Sequence, residues 1–214
     1  MASYSGGKDS VLAVYRAMQV GMVPLAFIIT FNIDRKRSWY HAVPEPVLES
    51  VSESVGVPVW LIKTSGDKYS YNFERHLHLA KEKGAQVCVF GDIDIEGHIK
   101  WCTERCESAG LEAMFPLYGC SREAVVNDFI DSGFTAHFTI IDTDRVNGDF
   151  LGRQLTKKAL LDIEAQGADI CGENGEYHTF VSDGPIFSKP VEFAFGEMIT
   201  EEKRVILPIA AHTS

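Results

Sequence analysis

Six residues near the front of the chain, Ser5-Gly6-Gly7-Lys8-Asp9-Ser10, bring together two glycines, a lysine, a carboxylate and two hydroxyls. These are the parts of an anion cradle. Glycine lets the backbone turn tightly and bring its N–H groups close to an anion, and the N–H groups and dipole of a following helix favour phosphate. Lys8 adds a point charge that reaches a phosphate oxygen, and the Ser5 and Ser10 hydroxyls donate hydrogen bonds. Asp9, in the first helical turn, either caps the helix or helps to hold magnesium. Gly-Gly-Lys-Asp alone reads equally well as an ordinary turn into a capped helix. A strand before it and a long amphipathic helix after it favour phosphate. Neither the Walker A pattern nor the G-x-G-x-x-G dinucleotide fingerprint occurs in the chain.

A second concentration of chemistry lies in Cys171-Gly172-Glu173-Asn174-Gly175-Glu176-Tyr177-His178-Thr179-Phe180-Val181-Ser182-Asp183-Gly184-Pro185. Residues 172–190 read as an extended loop, rich in Gly, Asp, Asn and Pro. Taken alone, such a stretch is an ordinary solvated turn. It has catalytic value only where a rigid scaffold holds it. His41, in Trp39-Tyr40-His41-Ala42, reads either as a pocket residue or as a satisfied loop histidine.

The elements that must position these groups alternate. Leu25–Phe31, Val59–Ile62 and Val87–Phe90 read as buried strands. Between them, Ser10–Val20, Glu45–Val55 and Tyr71–Lys83 have helical spacing, and each stops at a glycine. The alternation continues with a helix over Glu96–Ala109, a strand over Ala113–Leu117, a helix over Arg122–Asp131, a strand over His137–Ile141 and a longer helix over Phe150–Ala165. Val191–Phe195 and Arg204–Ile209 close the chain as two antiparallel strands. Strand alternating with helix implies a mostly parallel sheet with right-handed crossovers. The expected organisation is an α/β domain over 1–120 and a smaller α+β lobe over 121–214.

Bulk properties narrow the function classes. A net charge of −10 disfavours non-specific contact with nucleic acid. No apolar run is long enough for a membrane span, and the first residues do not resemble a signal peptide, so a cytoplasmic protein is expected. The five cysteines are odd in number and show no C-x-x-C spacing. They read as free buried thiols, with Cys102 and Cys106, four apart on a helix, as a weaker metal or redox pair.

SGGKDS resembles the PP-loop of the ATP pyrophosphatases, members of the adenine-nucleotide α-hydrolase superfamily. GENGEYHTFVSDGPIF at the back and GDI in the middle are similar to the diphthine–ammonia ligase family, in its short bacterial or archaeal form. The similarity runs over essentially the whole chain, including Ala113–Tyr118 and Phe150–Arg153. The resemblance implies a Rossmann-like sheet of order 3-2-1-4-5, which makes Val87–Phe90 a neighbour of the first strand. Phe90-Gly91-Asp92-Ile93 then emerges beside the glycine loop, with Gly91 leaving room for the nucleoside and Asp92 contacting ribose or magnesium. A plain strand-to-helix turn is the other reading of that segment.

The activity implied is ATP-dependent amide synthesis: a carboxylate displaces pyrophosphate from ATP, and ammonia then displaces AMP. Its cofactors are ATP and Mg2+, with Lys8 stabilising the departing pyrophosphate. Glu173, Glu176 and His178 would supply a cation site and proton acceptor for ammonium. Asn174 would orient, and His41, Gly175 and Thr179 would lie on the acceptor side. The implied partners are ammonia and a small-molecule or protein carboxylate, including diphthine on elongation factor two. No glutaminase-like nucleophile is apparent, so free ammonia is the expected donor. Two other readings stay open: a tRNA-modifying PP-loop enzyme, which would be retained on tRNA, and a nucleotide-binding sensor, which would bind ATP without forming AMP.

Overall fold

The computed structural model describes residues 1–212. In chain order the elements are β1 (Ala2–Ser3), α1 (Lys8–Gln19), β2 (Phe27–Asn32), β3 (Arg37–Ser38), α2 (Glu45–Val55), β4 (Val59–Thr64), α3 (Tyr69–Glu82), β5 (Val87–Val89), α4 (Glu96–Ser108) and β6 (Glu112–Met114). There follow α5 (Arg122–Asp131), β7 (Thr135–Asp142), α6 (Lys157–Glu164), β8 (Tyr177–Asp183), β9 (Phe193–Phe195), β10 (Ile199–Glu201), β11 (Arg204–Ile206) and β12 (Ile209–Ala211). The chain divides into two compact units. One holds Met1–Ser5, Asp9–Trp39 and Val57–Cys120; the other holds Gly6–Lys8, Tyr40–Gly56 and the chain from Ser121 onward.

The first unit carries a sheet whose parallel strands run β4-β2-β1-β5-β6, which in chain order is 3-2-1-4-5. This is the α/β Rossmann-like order that the family resemblance implies. Phe27, Ile28, Ile29, Ile62 and Cys88 are buried almost completely, because a parallel sheet covered on both faces needs uninterrupted apolar strands. Phe73 and Leu77 from α3 and Cys102 and Cys106 from α4 join the same core. The two-residue β1 pairs with Ala2↔Phe27 and Ser3↔Ile28. Beyond its end the short antiparallel β3 takes up β2 instead, at Phe31↔Ser38 and Asn32↔Arg37. That hairpin was not foreseen: it is brief and charged, and Asn32 Oδ1 stabilises its turn by accepting from Asp34 N and Arg35 N, both at 3.0 Å.

The second unit is built on an antiparallel sheet of order β10-β11-β7-β8 and a separate β9–β12 pair. Its core is aromatic, with Phe129 stacked on Phe134 and Phe138 edge-on to Phe150 and Tyr177. Three expectations fail here. Residues 172–190 are not one loop, since Tyr177–Asp183 forms β8 against β7; Tyr177, Thr179, Phe180, Val181 and Ser182 are buried despite their polar and glycine-rich surroundings. The helix expected over Phe150–Ala165 covers Lys157–Glu164 alone, because the Thr156 side chain accepts from Ala159 N and caps it there. The two closing strands do not pair with each other: β9 pairs with β12, while β11 lies between β7 and β10.

Among the described residues no helix is long and apolar enough to cross a membrane. Cys88, Cys102, Cys106 and Cys171 are buried, Cys120 is half-buried, and none is in a disulfide. Burial pushes the Cys88 and Cys102 thiols up from their ordinary values, as expected of core side chains rather than reactive ones.

Candidate active site

Within the second unit, Gly6–Lys8 dock along the outer edge of β8. Val181 N donates to Gly6 O at 2.9 Å, and Lys8 N donates to Thr179 Oγ1 at 3.1 Å. A strand edge offers unused main-chain groups at every second residue; this segment takes the one at Val181 and the Thr179 hydroxyl beside it. The Thr179 carbonyl accepts from His41 Nδ1 at 2.8 Å. A carbonyl can only accept, so His41 Nδ1 carries the hydrogen in this bond.

His41 then stands edge-on to His178, with ring centroids 4.9 Å apart. Gly7 is required by this packing, since a Cβ there would come within 2.1 Å of the His41 ring. Burial holds His178 well below the ordinary histidine range, aided by His41, Arg204 and Lys8. It is therefore neutral at physiological pH.

Lys8 is almost fully buried, at 4% exposure. Its ammonium lies 3.8 Å from Glu173 Oε1 and over the Tyr177 ring, 5.6 Å from the centroid. A buried lysine needs such partners, since an isolated buried charge is costly. The Tyr177 hydroxyl donates to Ile170 O at 2.6 Å and so closes the acidic loop at its base. Gly172, at φ +75°, faces that ring where any Cβ would collide.

Glu176 is also buried, but its carboxylate is occupied. It accepts from Asn174 N at 3.0 Å and Asn174 Nδ2 at 3.2 Å, and lies 3.6 Å from the Arg145 guanidinium. Gly175, at φ +88°, supplies the left-handed turn between Asn174 and Glu176. Asp169 holds the other side of the loop, accepting from Cys171 N and Glu173 N. Arg122 and Asp169 form an ion pair at 2.5 Å. Sequence reasoning missed Asp169, Arg122 and Arg145. They are distant along the chain or outside the glycine-rich stretch, and only Asp169, two residues before Cys171, carries a local Asx-turn signal.

Within the first unit, Ser5 and Ser10 are joined, Ser5 Oγ donating to Ser10 Oγ at 3.0 Å and Ser5 N donating to the same oxygen at 3.2 Å. Gly91 packs directly on the first turn of α1. A Cβ there would lie 2.7 Å from Ser10 N and 2.8 Å from the Asp9 carbonyl carbon. The room that Gly91 makes is thus occupied by helix backbone. Asp92, next in the chain, lies 3.3 Å from His98 Nδ1. Burial raises the Asp92 carboxyl above its usual range; His98 opposes this and the Asp9 charge adds to it. Asp9 and Asp92 thus lie close enough for the charge of one to act on the other, and hard carboxylate oxygens are the donor type that magnesium takes.

Residues 1–113 match the diphthamide synthase N-terminal domain family, and residues 121–212 match the diphthamide synthase C-terminal domain family. The chain belongs to the diphthamide synthase family. This family member is 23% identical to the zebrafish diphthine–ammonia ligase, over 96% of its own length and 90% of the relative's. It is 24% identical to the cattle diphthine–ammonia ligase, over 98% and 88%, and 27% identical to that of the mouse, over 98% and 88%. As a diphthamide synthase family member it is an enzyme of the ligase class. A solved structure described as a predicted subunit of a tRNA methyltransferase from Methanocaldococcus jannaschii is 15% identical, with a TM-score of 0.47, covering 89% of this chain and 98% of that one.

Proposed function

We propose that the protein is an AMP-forming amide ligase that activates a carboxylate of the diphthine type with ATP and aminates it with free ammonia. The observation that carries this reading is Lys8: a buried lysine at the start of α1, on a glycine loop, whose ammonium faces the Glu173 carboxylate. Residues 1–120 would bind the nucleotide, and residues 121–214 would supply the acceptor side.

In the first step an acceptor carboxylate oxygen attacks the α-phosphorus and the bond to the β-phosphate bridge breaks. Ser5, Gly6, Gly7, Lys8 and Ser10 hold the departing pyrophosphate through N–H groups, hydroxyls and the Lys8 charge, which is positioning plus electrostatic stabilisation. Asp9 and Asp92 are the carboxylates suited to the accompanying magnesium, and Gly91 lets the β5 end close against the start of the helix.

In the second step the nitrogen of ammonia attacks the acyl carbon and AMP leaves. Ammonium must first lose a proton, and Glu173 is the carboxylate suited to bind it and take that proton. His178, being neutral, does not repel the ammonium and offers a weak acceptor. Glu176 acts by fixing Asn174, whose amide orients the acceptor, while Gly175 sets the turn that allows it. His41 Nε2 and Thr179 complete the acceptor side. The compartment we propose is the cytoplasm, in keeping with thiols that form no disulfide.

The test follows α-labelled ATP with magnesium, ammonium chloride and diphthine-bearing elongation factor two. AMP in amounts matching the amide formed, dependent on ammonium, is the expected result. ADP as the labelled product would refute α,β cleavage.

A further inference from the structure

The acidic loop is clasped from both sides by charges that come from outside the glycine-rich motif. On one side Asp169, only 11% exposed at its side chain, accepts from Cys171 N at 2.9 Å through Oδ1 and from Glu173 N at 3.2 Å through Oδ2. On the other side Glu176 grips both donors of Asn174. One guanidinium nitrogen of Arg122 joins the two sides, donating to Asp169 Oδ2 at 2.5 Å and to Asn174 Oδ1 at 3.0 Å.

The main-chain N–H of Glu173 is thus tied to Asp169, while its side chain lies 3.8 Å from Lys8 Nζ. Fixing the Glu173 backbone limits which rotamers its carboxylate can reach, and charge-assisted bonds do this more firmly than neutral ones.

We infer that Asp169 and Arg122 are positioning residues that aim the Glu173 carboxylate at Lys8 and thereby set how much of the Lys8 charge a bound pyrophosphate feels. The inference rests on the ligase reading for its purpose, since that reading makes pyrophosphate the group Lys8 serves. The positioning itself is a separate claim.

The experiment is a coupling cycle on inorganic pyrophosphate binding, with no acceptor needed. Glu173→Gln removes the carboxylate charge, so pyrophosphate binds about 5–10-fold tighter. Asp169→Asn and Arg122→Ala each give most of that gain by misdirecting an intact Glu173, and Arg122→Lys restores wild-type affinity. The double variant Asp169→Asn/Glu173→Gln matches Glu173→Gln alone, because Asp169 acts only through Glu173. A merely structural role would change melting temperature and leave this coupling at zero.

Additive effects in the double variant, or Asp169→Asn behaving as wild type while Glu173→Gln tightens binding, would overturn the inference. Failure of the wild-type protein to bind pyrophosphate would count against the ligase reading instead. Hydrogen exchange at the Glu173 amide then decides the positioning claim: at least tenfold faster exchange in both Asp169→Asn and Arg122→Ala supports it, and unchanged exchange overturns it.

Discussion

The two units handle their functional residues in opposite ways. In the first, the decisive feature is what is missing: Gly91 has no side chain, and the backbone of Asp9 and Ser10 fills the space where one would be. In the second, the decisive features are buried or half-buried charges that are each held by another group: Lys8 by Glu173, Glu176 by Asn174 and Arg145, Asp169 by Arg122. Added atoms meet backbone in the first unit and side-chain rings in the second, and the second is sensitive to atoms removed as well. A parallel sheet closed on both faces has no slack for extra volume. An antiparallel sheet with a charged loop on its edge depends on each partner, since deleting one leaves the other buried and uncompensated.

The largest expected effect is a removal. Lys8→Ala deletes the charge proposed to stabilise the departing pyrophosphate, and it also leaves Glu173 without its cation. AMP formation from α-labelled ATP should fall by roughly 100–1,000-fold, the usual loss when one electrostatic stabiliser is taken from a reacting centre. An activity within threefold of wild type would break the comparison at its strongest point, because a buried charge would then be dispensable.

The next pair separates chemistry from scaffolding inside the acidic loop. Glu176→Ala leaves Asn174 and Arg145 without the carboxylate they share, and should destabilise the protein by about 1–3 kcal/mol. Glu173→Gln keeps the shape but removes the charge that compensates the buried Lys8 ammonium, so it should lower the urea midpoint by less than Glu176→Ala does while lowering amide formation. Equal stability losses for the two variants would mean that the loop is one structural network with no functional division.

How much of this was legible beforehand follows the same line. The parallel strands were readable because Leu25–Phe31, Val59–Ile62 and Val87–Phe90 are nearly continuous apolar runs; their order β4-β2-β1-β5-β6 was implied by the family resemblance alone, and the glycine loop was readable because its parts are adjacent in sequence. β8 was not. Its residues alternate Tyr, His, Thr, Phe, Val and Ser behind a string of glycines and acids, so local composition says loop while the unpaired edge of β7 says strand. Tertiary pairing overrode local preference there. The same holds at Phe150–Thr156, where a helical apolar spacing gave way to a 3-10 turn ending at Phe150 and a single bridge of Gln154 to His137, and the helix began only at the Thr156 cap. Arg122 and Arg145 were invisible for a simpler reason: a charged side chain on an ordinary helix or loop carries no sign that its partner lies dozens of residues away.

Additions test the first half of the comparison. Gly91→Ala pushes a methyl against main-chain atoms that no rotamer change can move, and should cost about 1–3 kcal/mol with a weaker apparent affinity for ATP. Gly7→Ala meets the His41 ring instead. A side chain can be trimmed, so His41→Ala introduced with Gly7→Ala should recover part of the loss. No single truncation among side chains should do the same for Gly91→Ala. A side-chain truncation that did rescue it would show that the crowding there is not in the backbone.

The smallest effect concerns His178 and acid. Burial, with His41, Arg204 and Lys8 around it, holds this histidine below its ordinary value of 6.5 in the folded protein. Between 6.5 and the lower folded value the unfolded chain binds the extra proton and the folded one does not. Stability from this group is therefore fully present above pH 6.5 and is lost as pH falls through that window, at no more than about 1.4 kcal/mol per pH unit. His137 is shifted in the same direction by burial, so the wild-type slope alone does not isolate His178. The difference between wild type and His178→Gln does, because the glutamine stays neutral and polar throughout. Urea midpoints at pH 7.5 and 5.5 should drop further for wild type than for His178→Gln. Parallel drops would mean that His178 has the same pKa in the folded and unfolded chain, the acidic side of the site offsetting burial and the Lys8 and Arg204 charges. A smaller drop for wild type would mean that the folded protein holds the His178 proton more tightly, reversing the electrostatic character of the β8 edge.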